Sequence, residues 1–411
     1  MTGGDIVTAT VETLAYGGDG IARIDGRVVF IPETVPGETV RARVTQVKKN
    51  FARAGLIELV SPSPQRIAPC CRVADPDTGA PVRVPGCAYD HLDYAAEVQA
   101  KQRQFEGFVR RLRPSADSLF LPPHPSPAPL HYRNKIVLHA RRNQDGTTRL
   151  GYLQEPSHRV LDLPACPLAC GEINAALSAL RASPLRRALR DGDRVTLRHT
   201  AHDGAVWWLN DETPRMPCAE LLTEASPVGP LRVPRDGFYQ VNPAVGNALV
   251  RTVAEWFAED HVAPELLDLY CGVGVFGFAC MKSGGARLTG IESGRGAIDA
   301  ARLNAQSLGV PAEFLCRALG QESVDLQALI RSPRLTTAVV DPPRDGLAPD
   351  IAQALAASGM PRVFCVSCDP ATLARDLAVL LRSGYHIRRA RLFDMFPRTA
   401  HFESLVELGR G

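Results

Sequence analysis

The chain has 411 residues, 45% of them hydrophobic and 22% charged, a globular composition with room for two or three domains that excludes a fibrous or disordered protein. A formal net charge of +3 permits a nucleic-acid partner without arguing for one. No basic and apolar leader opens the chain and no apolar run is long enough to cross a bilayer, so a cytoplasmic protein away from membranes is expected, and its eleven cysteines read as metal ligands, nucleophiles and core residues rather than disulfides.

From Asp5 to Val60, β-rich runs alternate with glycine turns: Ile6 to Val11, Gly17-Gly18-Asp19-Gly20, Arg27 to Pro32, Pro36-Gly37-Glu38 and Thr39 to Val44. Short strands at this spacing predict a small barrel. Lys48, Lys49, Phe51 and Arg53 then interleave charge with an aromatic, as nucleic-acid-binding barrels do, although a solvated hairpin tip has the same composition. The two turns make this segment resemble the TRAM domain, an RNA-binding barrel attached to RNA-modifying enzymes.

Ser61-Pro62-Ser63-Pro64 is a linker by composition. Beyond it, Cys70, Cys71, Cys87, Cys166 and Cys170 lie in proline-flanked loops that suit core packing poorly, so a metal or iron–sulfur site is expected; spacing alone does not choose between zinc and iron–sulfur. Residues 93–113 have apolar positions at helical intervals, with Pro114 closing the helix and one face docking on a neighbouring domain. Tyr132-Arg133-Asn134-Lys135 opens a strand with groups suited to RNA or to plain surface. Residues 172–189 read as a helix, followed by a strand pair over 194–199 and 205–209.

The catalytic half starts near Arg232. Phe238-Tyr239-Gln240-Val241-Asn242 precedes a helix over 244–257, and Leu266 to Phe276 gives an apolar strand, a glycine turn and a helix. Glycine lets a ligand approach the backbone, and Glu292, about twenty residues on at the end of the next strand, is placed to hold ribose hydroxyls. An acid after the second strand, with little glycine for a pyrophosphate, fits S-adenosylmethionine better than NAD. Thr336 to Val340 is a strand ending in Asp341-Pro342-Pro343-Arg344; arginine in place of an aromatic argues against methylation of an exocyclic amine. Arg362 to Val366 reads as a buried strand that breaks at Cys368 into a helix capped by Asp369-Pro370. A thiol there can have a lowered pKa and so be a nucleophile at neutral pH; the other reading of Cys368 is a small buried hydrophobe like Cys365. Residues 396–406 read as a strand with His401 and Glu403 on one side and Phe402 on the other.

Taken together, Phe-Tyr-Gln240-Val-Asn, Asp268-Leu-Tyr-Cys-Gly-Val-Gly274, Asp341-Pro-Pro-Arg344, Ser367-Cys-Asp-Pro370 and Phe396-Pro-Arg-Thr-Ala-His-Phe-Glu403 resemble the RNA uracil-5-methyltransferases that make ribothymidine in tRNA and 23S rRNA. The resemblance spans nearly the whole chain. It implies an α/β Rossmann-like S-adenosylmethionine-dependent domain over 232–411, an OB-like TRAM barrel over 1–62 and an α+β central domain over 63–231 with a 4Fe-4S site. By position, Cys368 is the nucleophile and Glu403 the base. Gln240, Tyr270, Gly272, Gly274, Glu292 and Asp341 contact the cofactor or the uracil, and Cys70, Cys71, Cys87 and Cys166 hold the cluster, with Cys170 in reserve. Iron–sulfur members carry Cys-x5-Cys-x2-Cys and a distant Cys-Pro; here Val84 stands where the middle thiol belongs, Asp369 replaces asparagine, and Val275 replaces a polar residue. The barrel and cluster lean towards 23S rRNA, with no obligate protein partner evident. The other readings are a tRNA T-loop uridine methyltransferase, a non-catalytic RNA-binding or ribosome-assembly protein, and a cytosine-5 RNA methyltransferase.

Overall fold

The computed structural model describes residues 1–112, 119–143, 145–154, 157–210, 220–259, 264–321, 326–330 and 332–410. The alternating N-terminal runs close into a five-stranded barrel of Ile6–Leu14, Gly20–Ile24, Arg27–Ile31, Thr39–Val47 and Phe51–Ser61. Its interior is narrow and is filled by small or β-branched residues, among them Ala9, Ala22, Val29, Val40, Ala52 and Ala54. The Pro-Gly-Glu turn has a structural purpose. Glu38 is fully buried and accepts hydrogen bonds from Val35 N and from the Arg66 guanidinium, which ties the barrel to the chain that follows it.

The next segment builds a five-stranded antiparallel sheet ordered Arg159–Asp162, Thr148–Gln154, Lys135–Arg142, Arg194–Thr200, Gly204–Leu209. One correction concerns its helix. Instead of running over 172–189, the helix Gly171–Ala182 stops and a short turn, Leu185–Ala188, follows. Pro184 lacks an N–H and forces the preceding residue out of helical geometry; Ser183 is extended at φ −80°, ψ 156°.

Tyr94–Arg110 is a helix capped by Asp93, whose side chain accepts from Ala95 N and Ala96 N; Pro114 lies outside the described residues. The helix docks on the C-terminal half through a buried ionic cluster. Lys101 is wholly buried and donates to Glu97 and Asp394, both at 2.7 Å, while Glu97 also accepts from Arg398 N at 2.7 Å. Removing one partner from such a cluster leaves an uncompensated buried charge, at a cost of about 3–5 kcal/mol.

The C-terminal half is a seven-stranded sheet ordered Ala312–Cys316, Arg287–Glu292, Glu265–Leu269, Thr336–Val340, Arg362–Ser367, Glu403–Arg410, Tyr385–Phe393. The first five strands are parallel, and Glu403–Arg410 runs antiparallel to both its neighbours, Arg362–Ser367 and Tyr385–Phe393, with an apolar core on each face of the sheet. A second correction falls here: the last strand begins at Glu403, not near Phe396. Residues 396–402 form a turn and loop, because Arg398 adopts φ 66° and Thr399 N closes onto Phe396 O. Among the described residues, no helix is long and apolar enough to cross a membrane.

Candidate active site

The residues just past the carboxyl ends of the parallel strands converge on one edge of the sheet. After Leu269 the chain turns through Tyr270, Gly272 and Gly274, all at positive φ (61°, 53° and 88°). Glycine takes that conformation freely; Tyr270 holds it at a cost. A Cβ on Gly274 would meet the Phe278 ring at 2.8 Å, so this glycine lets the helix Val275–Lys282 start tightly under the turn rather than lining the cleft above it. That cleft has Phe238, Gln240, Tyr270, Gly272, Val273 and Asp341 on its walls. Glu292 lies at its rim, accepting from Gly272 N at 3.3 Å, Gly294 N at 2.8 Å and Ser293 Oγ at 2.9 Å.

Asp268 is completely buried; one oxygen accepts from Gly277 N at 3.0 Å and the other has no partner. Burial first, then the charges of Asp341 and Glu292, push its carboxyl up to about 8, and burial pushes Asp341 up to about 7. Carboxyl groups held out of water in this way gain most from a cationic ligand.

Beside the cleft, Cys368 follows the strand Arg362–Ser367, half-buried, and the helix Pro370–Arg382 starts two residues later. The reading of a lowered thiol pKa is overturned. Asp369, not Cys368, takes the free helix N–H groups, accepting from Ala371 N and Thr372 N at 2.9 Å each. Burial, then Glu403 and Asp341, push the thiol up to about 12, with Arg344 opposing them. Glu403 is 4% exposed, and its Oε2 has no hydrogen-bond partner. Burial and Asp341 hold its carboxyl well above the usual range, again against Arg344. The next residue fixes the position: Ser404 Oγ donates to Ser367 O at 3.0 Å, joining the last strand to the one that carries Cys368.

A family model described as tRNA (Uracil-5-)-methyltransferase matches residues 228–411, and one for the TRAM domain matches residues 2–57. The chain is 32% identical to a 23S rRNA (uracil(1939)-C(5))-methyltransferase of Chromohalobacter salexigens, over 98% of this chain and 89% of that protein. It is 31% identical to an uncharacterized RNA methyltransferase of Thermosynechococcus vestitus, over 98% of both. The chain belongs to the RNA uracil-5-methyltransferase family. The fold agrees with that of the Pyrococcus abyssi tRNA (uracil-54, C5)-methyltransferase, solved with S-adenosyl-L-homocysteine, at TM-score 0.75 and 24% identity over 98% of this chain and 100% of that one. The methyltransferase uses S-adenosylmethionine, and the Asp341 carboxyl on the cleft wall suits its cationic sulfonium.

Two site residues of the methyltransferase escape a reading of the sequence alone. Arg344 supplies positive charge next to Cys368, Glu403 and His401, and its position one past the Asp-Pro-Pro turn is the signal that could have revealed it. Phe238 is 70% exposed on the lip of the cleft, far more than an aromatic ring needs to be in a folded core.

Elsewhere in the enzyme, Cys71, Cys87 and Cys166 are buried and Cys70 and Cys170 border the same core. Cys71 contacts the thiols of both Cys70 and Cys87, and Tyr152 donates its hydroxyl to Cys166 Sγ at 3.5 Å. Val84 occupies the missing thiol's place as a core side chain, its N–H donating to Cys71 O and its carbonyl accepting from Cys87 N. Cys170 also groups with Glu172 and His199, their ligand atoms all within 4.8 Å of one another. The ten described cysteines are free thiols; Cys218 lies outside the described residues.

Proposed function

We propose that this enzyme methylates C5 of a uridine in 23S rRNA through a transient bond between Cys368 and C6 of the uracil. The observation that carries the chemistry is the grouping of a thiol, an unpartnered buried carboxyl and a guanidinium beside a cleft walled by Gln240, Tyr270 and Asp341. S-adenosylmethionine, when bound, supplies the methyl group as an electrophile. Uracil C5 is too weak a nucleophile to take it unaided. The Cys368 thiolate adds to C6, and the C5–C6 π electrons move onto C5 and O4 as an enolate, which makes C5 nucleophilic. Once C5 carries the methyl group, the Glu403 carboxylate removes the C5 proton. The freed pair re-forms the C5–C6 double bond and expels Cys368 as thiolate. Arg344 lies where it can offset the negative charge of Cys368 and Glu403 through this sequence. The uracil must leave its stack, at a cost of about a few kcal/mol. Exposed Phe238 offers a face on which the flipped base can stack.

The choice of 23S rRNA is supported by the TRAM barrel, by the buried thiols and by the relatives whose names carry that substrate. The likeness to an archaeal tRNA enzyme keeps the tRNA T-loop as the second reading. The deciding experiment is incubation with methyl-labelled S-adenosylmethionine and separate 23S rRNA and tRNA transcripts. Label as 5-methyluridine in rRNA is the expected outcome; label only in tRNA reverses the substrate choice.

Cys70, Cys71, Cys87 and Cys166 would hold a 4Fe-4S cluster. Soft thiolates gathered at one core suit iron, and Arg133, half-buried beside Cys166 with a buried, unpartnered Nε, is a cation placed to balance an anionic cluster. Bound there, the cluster would pin the loops of the central domain together. Iron and sulfide are expected in anaerobically purified protein and are expected to fall in Cys87→Ser; their absence from the unmodified protein removes the cluster.

A further inference from the structure

The N-terminal barrel sends one side chain into the catalytic corner. Tyr16 sits in the turn between the first two barrel strands, where Ala15 N donates to Asp19 O, Gly18 N donates to Ala15 O, and the Gln104 amide donates to Ala15 O at 2.9 Å. Its ring is held edge-on against Phe108 and Phe402, with centroids 5.8 and 6.0 Å away. Phe402 adjoins Glu403. The hydroxyl of Tyr16 faces Cys368, Asp369 and Arg344. It lies against Asp369 without meeting the geometry of a hydrogen bond and is left buried with no partner.

A buried hydroxyl without a partner costs about 1–3 kcal/mol, so its position calls for an acceptor that appears during the reaction. Asp369 already spends Oδ1 on the helix N–H groups. Asp369 Oδ2 stays open to the phenol before the reaction, and the acceptor that the reaction itself creates next to it is the Cys368 sulfur. Cys368 is faced by Asp341 and Arg344 from beyond one strand and by Glu403 from the last strand, with Asp369 next to it at the helix start; the carboxylates of Glu403 and Asp341 oppose a thiolate. We infer that the Tyr16 phenol donates a hydrogen bond to the Cys368 sulfur as its thiolate forms, so that the RNA-binding barrel completes the catalytic centre. Burial and the neighbouring Asp369 and Cys368 keep the phenol protonated, which makes it a donor and not a base. This rests on the reading of Cys368 as nucleophile. It also means that RNA docking on the barrel can reach the reactivity of Cys368 through a single turn.

Tyr16→Phe removes the hydroxyl and keeps both ring contacts. Its kcat on RNA at pH 7 is expected to fall about tenfold to a hundredfold, the range for a hydrogen bond to a charged group, with KM for RNA and the denaturation midpoint unchanged. Alkylation of Cys368 by iodoacetamide, followed by mass spectrometry without RNA or cofactor, is expected to move to higher pH by about one unit. A Tyr16→Phe enzyme with unaltered kcat and an unaltered alkylation profile overturns the inference. If Cys368→Ala methylates RNA normally, the nucleophile reading fails by itself, and the alkylation profile still decides whether the phenol holds the thiolate.

Discussion

Cys368→Ala is expected to lower methyl transfer to RNA by at least about a thousandfold while S-adenosylmethionine binds as tightly as before. The two halves of this expectation come from different parts of the site. The cofactor cleft is walled by the turn after Leu269, by the segment carrying Gln240, and by Asp341; Cys368 is not among its lining residues. The local fold should also survive. Asp369 caps the helix and Pro370 opens it, so neither signal depends on the thiol. What is lost is the only way to raise electron density at C5, because a methyl side chain cannot add to C6. Titration calorimetry with S-adenosylmethionine, single-turnover transfer to RNA and thermal denaturation separate these terms. A normal transfer rate would sink the covalent mechanism; weakened cofactor binding would show instead that Cys368 shapes the cleft.

The sequence revealed most where its signals are local. A barrel strand alternates every two residues, and a strand followed by Gly272-x-Gly274 and a helix announces itself over about a dozen positions. Cys368 stood out for the same reason, between a β-branched run and Asp369-Pro370. The thiol's electrostatics were not local. Its neighbours Glu403, Asp341 and Arg344 lie on other segments, and only their convergence reverses the pKa shift that a helix start would give. The same holds for Tyr16, which lies more than 350 residues from Cys368 in sequence and belongs to the barrel. Lys101, Glu97, Asp394 and Arg398 have the chemistry of surface residues and are buried only because they meet. Pro184 carried a local signal that the reading of one helix over 172–189 passed over: a proline within an apparent helix breaks it.

Glu403→Gln is expected to stop the reaction after methyl transfer and to accumulate RNA joined to Cys368. The substitution keeps the size of the side chain and removes its ability to accept a proton. In the free protein the change is mild, because burial already favours a neutral carboxyl at this position. The sign can be followed through pH. A carboxyl whose folded pKa is raised contributes stability that is fully present below its unfolded pKa and lost as pH rises through the folded one. Glutamine carries no such loss, so Glu403→Gln should match the parent in stability at low pH and exceed it in alkaline solution. Catalysis makes the opposite demand. Glu403 must act as carboxylate, and the positive charge of Arg344, which opposes the upward shift, favours that form. Without a base the C5 proton stays, the C5–C6 double bond cannot re-form, and Cys368 cannot leave. Denaturing gel electrophoresis of Glu403→Gln with RNA and S-adenosylmethionine should therefore show a shifted protein band carrying label from the methyl group. The same band should be absent from Cys368→Ala combined with Glu403→Gln. Free methylated RNA released at the parent rate would assign the proton to another base, and of the carboxyls facing Cys368 Asp341 is the next candidate, since burial already holds it close to neutrality at about 7.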